Sequence, residues 1–205
     1  MSISGEPHRL VANRQKIVLS LLVVLLALAL VGLGAFASFT SSTSASQTLS
    51  TGTVTIALGA TGAQTNRLTV NATGLAPADS IQRSFDLSNT GSLNLASITL
   101  TTTATTSSLL DTDGTDGLQM AIDRCSAAWT ESGSSPSFSY TCSGSTSTVL
   151  ASRAVIGSNL ALSNLASLTS GSTDHLRLTL TLPSAAGNTF QNLSSVIQYS
   201  FTGTH

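Results

Sequence analysis

Three aspartates and two glycines fall within seven residues, Asp111-Thr112-Asp113-Gly114-Thr115-Asp116-Gly117. Carboxylate oxygens so close together are what a hard cation such as Ca²⁺ gathers, and glycine permits the turn that brings them in. The register departs from an EF-hand loop: Asp116 stands where its glycine belongs, and Ile122 where its bidentate glutamate belongs. An Asp/Gly hairpin tip also forms without any ion. Asp111, Asp113 and Asp116 are therefore read both as a calcium candidate and as a plain turn. No other cofactor is expected.

Hydrolytic chemistry is poorly supplied. Beyond residue 37 the chain has two histidines, His175 and the terminal His205, with no HExxH and no GxSxG. A zinc hydrolase needs three protein ligands and a base, and a serine hydrolase needs a histidine beside its nucleophile. Neither set is assembled, so His175 reads as a surface residue and the chain is expected not to be an enzyme. Asn71-Ala72-Thr73 and Asn192-Leu193-Ser194 match the glycosylation pattern, as chance allows in so Ser/Thr-rich a chain. Cys125 and Cys142 are the two cysteines. In an exported chain such a pair is expected to form a disulfide.

Export is written into the N-terminus. Arg9, Arg14 and Lys16 precede an apolar run from Ile17 to Leu33, which ends in Gly32, Gly34 and the triplet Ala35-Phe36-Ala37. Small residues at Ala35 and Ala37 predict signal-peptidase cleavage before Ser38. The run is also long enough to remain as a membrane anchor. In both cases the following residues are exported, and the membrane is met through this segment alone. Beyond Ala37 there are five arginines, eight acidic residues and no lysine, a net charge of −3. That balance excludes a nucleic-acid surface, and the missing lysine excludes assembly through lysine isopeptide bonds.

The exported part alternates with a period of two. Val54, Ile56 and Leu58 share one face; so do Ile81, Phe85 and Leu87, Leu118, Met120 and Ile122, and Ile197, Tyr199 and Phe201. The longest set is Leu176, Leu178, Leu180 and Leu182. Turn signals separate these runs at Gly74–Pro77, Asn89–Gly91, Asp113–Gly114, Ser132–Gly133 and Ala186–Asn188. Strands with one buried and one wet face predict an all-β, jelly-roll-type two-sheet sandwich, preceded by the hydrophobic signal helix. The spacing of Leu160, Leu162, Leu165 and Leu168 predicts one short helix within Ser158–Leu168. The expected organisation is a signal segment 1–37, a leader 38–48 and a sandwich 49–205.

Three stretches together resemble the TasA/camelysin (CalY) family. They are Gly34 to Thr40 followed by Leu49 to Val54, Leu75-Ala76-Pro77-Ala78-Asp79 through Phe85 to Ser92, and Gly187-Asn188-Thr189-Phe190-Gln191 leading into Val196 to Phe201. Ala78 and Asn192 stand where the family tends to have glycine, and Pro77-Ala78 is expected to form a type I turn. The resemblance implies processing by a signal peptidase of the SipW type. It also implies a secreted subunit of extracellular biofilm-matrix fibres, whose N-terminal strand completes the sheet of the next copy. The partner is then the chain itself, and the donor is Ser38 to Gln47. Phe39, Ser41, Thr43 and Ala45 would point inward, and Thr40, Ser42 and Ser44 would face water. The alternative is a monomeric, membrane-anchored surface domain that binds a partner through loops such as Cys125–Cys142. Some family members carry a metalloprotease label, for which the sequence supplies no evident residues.

Overall fold

The computed structural model describes residues 53–68 and 75–205. In chain order the strands are β1 (Ile56–Leu58), β2 (Ser80–Asn89), β3 (Ser97–Thr106), β4 (Gln119–Cys125), β5 (Thr130–Ser134), β6 (Ser137–Thr141), β7 (Thr146–Ala154), β8 (Gly157–Ala161), β9 (Thr173–Thr181) and β10 (Val196–Thr204). A one-turn helix α1, Leu109–Thr112, follows β3, and a 3₁₀ turn, Asn188–Phe190, precedes β10. Two sheets form the sandwich, one ordered β1-β2-β9-β4-β7 and the other β10-β3-β8, while β5 and β6 pair as a separate hairpin. Every pairing is antiparallel. Apart from the β1–β2 and β4–β7 neighbours, the chain changes sheet at each step. Eight strands wound this way make the jelly-roll type of sandwich.

Alternation fills the space between the sheets. Leu176, Leu178 and Leu182 are buried on or just after β9, Phe85 and Leu87 on β2, Met120 and Ile122 on β4, and Ile98 and Leu100 on β3. Thr102 continues the inner face of β3 and is equally buried. Its hydroxyl donates to the Val155 carbonyl at 2.6 Å and accepts from the Gly157 amide at 2.9 Å. Those two bonds satisfy backbone groups where the β3–β8 ladder shifts register between Leu100 and Thr102.

Three expectations are corrected. Residues 158–168 form no helix: Leu160 lies on β8, while Leu162 and Leu165 pack into the core from the loop that follows. Asn159 and Asn164, at φ of 51° and 57°, interrupt any right-handed helix there. The turn at Pro77-Ala78 is not type I. Ala78 sits at φ 75°, and the Asp79 amide bonds the Ala76 carbonyl at 3.0 Å, which is the type II arrangement. Reciprocal bonds explain why the strained form is held: Ala78 donates to the Leu182 carbonyl at 2.9 Å, and Leu182 donates to Asp79 at 3.0 Å. Finally, the Val54, Ile56 and Leu58 face is only partly covered. Ile56 packs against the core, but Val54 and Leu58 are 37% and 38% exposed.

Candidate functional site

The aspartate run folds as a capped helix followed by a turn. The Ser108 hydroxyl accepts from the Leu110 amide at 3.1 Å, and the Asp111 carboxylate accepts from the Ser108 amide at 2.7 Å, closing a capping box on α1. Asp111 is buried and also accepts from the hydroxyls of Ser107 at 2.8 Å and Ser195 at 2.5 Å. Burial alone would raise its pKa. The bonds from Ser195, Ser108 and Ser107 outweigh that and hold it below the usual aspartate value. Asp113 accepts from the Thr115 and Asp116 amides, both at 2.9 Å, and these bonds lower its pKa. The Asp111 and Asp113 carboxylates thus serve backbone and hydroxyl donors on their own loops. Among the described residues, no group of three or more His, Cys, Asp or Glu is arranged to hold a metal ion.

Other charges are paired across the outer face of the larger sheet, where His175 Nδ1 lies 2.8 Å from Asp86 and Arg177 bonds Asp123 at 2.9 Å. On the opposite, inner side of β9, beside Leu176, Arg124 reaches the fully buried Asp174 at 2.6 Å. Over the outer face folds the β5–β6 hairpin, an insertion between β4 and β7. The Cys125–Cys142 disulfide, with Cα atoms 5.7 Å apart, closes it as the sequence led one to expect. Trp129 and Tyr140 bury themselves beside Cys125 as a small second core. Trp129 Nε1 donates to the His175 carbonyl at 3.0 Å, and the Arg177 guanidinium lies 4.4 Å above its ring. Glu131 takes bonds from Arg67 at 2.6 and 3.0 Å and from the Tyr140 hydroxyl at 2.9 Å. The Arg67 bond, helped by Tyr140, holds the Glu131 carboxyl below its ordinary pKa against the opposing effect of burial.

The smaller sheet differs in both respects. Its strands β3, β8 and β10 contain no Asp, Glu, Lys, Arg or His. On β10 the inward residues Ile197, Tyr199 and Phe201 are only partly buried, although Phe201 meets Phe85 at 5.5 Å between ring centroids. Burial pushes the Tyr199 phenol well above its ordinary pKa, with the nearby Arg83 charge opposing. The outward residues Val196, Gln198, Ser200, Thr202 and Thr204 are exposed. The cleavage positions Ala35, Ala37 and Ser38, and the donor positions Phe39, Ser41, Thr43 and Ala45, lie outside the described residues.

A family model described as camelysin metallo-endopeptidase matches residues 13–205. The chain belongs to the camelysin family. No curated protein matches it. Camelysin-family membership supports a secreted or surface protein. Ala78 at φ 75° and Asn192 at φ 57° both occupy the left-handed region, which glycine enters without a Cβ penalty. At both positions, where the resemblance leads one to expect glycine, this camelysin-family chain carries a residue less suited to that backbone.

The metallo-endopeptidase description calls for a metal such as zinc, which takes three protein ligands and keeps one open position. His175 is engaged with Asp86. Asp123, Glu131 and Asp174 are each committed to an arginine. The described residues of this camelysin-family chain do not fit a zinc centre, and no catalytic step follows from them.

What sequence reasoning missed here were the cap and the hairpin's anchors. Ser108-x-x-Asp111 is a readable capping-box signature. Arg177 above Trp129 pairs residues too distant in sequence for any local pattern to reveal.

Proposed function

We propose that the mature chain, beginning at Ser38, is a secreted structural subunit of extracellular matrix fibres that polymerises by giving its N-terminal strand to the next copy. The observation that carries this is the imbalance of the sandwich. Among the described residues five strands face three, and the inner side chains Ile197, Tyr199 and Phe201 of the smaller sheet are only partly buried. A segment with alternating character, ten residues long from Ser38 to Gln47, is available to each neighbour. Adding it head-to-tail leaves a new acceptor at each step and therefore gives an open chain. Affinity would come chiefly from ladder hydrogen bonds, about 0.5–1.5 kcal/mol net each, because Phe39 and Ala45 bury little area.

Export would be followed by processing at Ala37 by a signal peptidase of the SipW type. A structural rather than proteolytic role accords with the charge pairing above. Intact mass of the exported protein, measured with its ability to form fibres, tests this reading. A chain starting at Ser38 that polymerises supports it, and a Phe39→Asp variant should polymerise poorly while melting like the parent. A monomer retaining residues 1–37 would favour the anchored binding domain instead.

A further inference from the structure

We propose that β10 is the edge that accepts a neighbour's strand, and that residues 38–47 of that neighbour lie antiparallel to it. This rests on the strand-donation reading and adds to it the site, the direction and the exclusion of self-pairing.

Sheet edges are normally blunted by shortness, charge, proline or bulges, because an unpaired row of backbone groups is a template for another chain. The sandwich has four edges among the described residues, and three are protected. β1 has three residues. β7 carries Arg153, and its ladder to β4 shifts register twice. β8 has five residues, a register shift against β3, and Asn159 at positive φ. β10 has nine residues, no charge and no proline, and its one irregularity is at its first step, between Val196 and Ile197.

The inner face agrees. Ile98, Leu100 and Thr102 on β3 are almost completely buried, whereas Ile197, Tyr199 and Phe201 on β10 are only partly buried. That gradient is what a sheet shows when the next strand is missing. The outer face of β10 presents Gln198, Ser200, Thr202 and Thr204, which would continue into the polar positions Thr40, Ser42 and Ser44 of the donor. Ten donor residues match nine on β10 at the roughly 3.3 Å rise of a strand.

Direction follows from where the chain enters the domain. The Thr53 amide bonds the Ser92 hydroxyl, and the Ser92 amide bonds the Thr53 carbonyl, both at 3.0 Å. This anchor lies at the end of the sandwich where β10 finishes, since the Ala96 amide bonds the Thr204 carbonyl at 2.7 Å. A chain folding back from Thr53 along its own β10 would have to run parallel to it. All strand pairs here are antiparallel, and antiparallel pairing is the more stable per residue. Only another copy can supply an antiparallel strand.

Photo-crosslinking in assembled fibres tests this. Mature chains carrying a photoreactive amino acid at Gln198, at Thr202 or, as a control edge, at Ser147 would be mixed from light and isotopically heavy stocks. All three positions are exposed or partly exposed, so the fold should tolerate the change. The expected result is heavy–light products joining Thr202 to residues 38–42 and Gln198 to residues 43–47, with at least tenfold fewer from Ser147. Fibres whose products come from β7, arise within one copy, or join Thr202 to residues 43–47 would overturn the acceptor or its direction while leaving fibre formation intact. Absence of fibres would overturn the strand-donation reading and this inference with it.

Discussion

Replacing Ala78 with glycine should make the protein more stable. Ala78 is held at φ 75° by the Pro77 turn and by reciprocal bonds with the end of β9. A residue with a Cβ loses about 1–2 kcal/mol in the left-handed region. Glycine removes that strain but gives the unfolded chain more freedom, which offsets roughly 0.5–1 kcal/mol. The net gain is about 0.5–1 kcal/mol, a rise of about 1–4 °C in Tm for a domain of this size. The backbone amide that bonds Leu182 is retained, so no contact is lost. Asn192→Gly provides the comparison: asparagine tolerates φ 57° well, so its gain should be smaller. Thermal unfolding followed by circular dichroism reads both variants. An Ala78→Gly protein that melts no higher than the parent, or an Asn192→Gly protein that gains more, would refute the strain argument.

Asp111→Ala should cost about 3 kcal/mol, because a buried carboxylate accepting from Ser107, Ser108 and Ser195 is lost; denaturant titration measures it. The folded pKa of Asp111 lies below its unfolded value, so its contribution is complete above the ordinary aspartate pKa of about 4 and fades as pH falls through the folded value. Parent and Asp111→Ala proteins should therefore converge in stability on strong acidification, which melting curves at stepped pH would reveal. Reducing the Cys125–Cys142 bridge should lower stability by about 3 kcal/mol, readable as a fall in the denaturant midpoint. Calcium at millimolar concentration should leave the Tm unchanged, since Asp111 and Asp113 already serve other donors; a rise of several degrees would restore the ion-binding reading.

The core was legible because burial on one face imposes a period of two. Leu176, Leu178 and Leu182 could be assigned to one buried face before any coordinates. The same cue misled at Leu160–Leu168, where spacings of two and three residues fit a helical stripe as well as a strand running into a loop. The two asparagines at positive φ decide for the latter. Ala78 misled for the opposite reason: residue identity argued for a relaxed turn, but two long-range bonds to Leu182 impose the strained one. Which strands form edges was not readable at all, since β2 and β9, or β3 and β10, meet across nearly half of the chain. The features that bear on the proposed assembly, the uncharged β10 and the hairpin covering the opposite sheet, belong to that long-range layer.

Electron microscopy of two purified proteins, Ser38–His205 and the same chain lacking residues 38–47, decides whether the N-terminal strand builds fibres. Strand donation requires long fibres from the first and folded monomers from the second. Fibres of unchanged form from the shortened protein would contradict it.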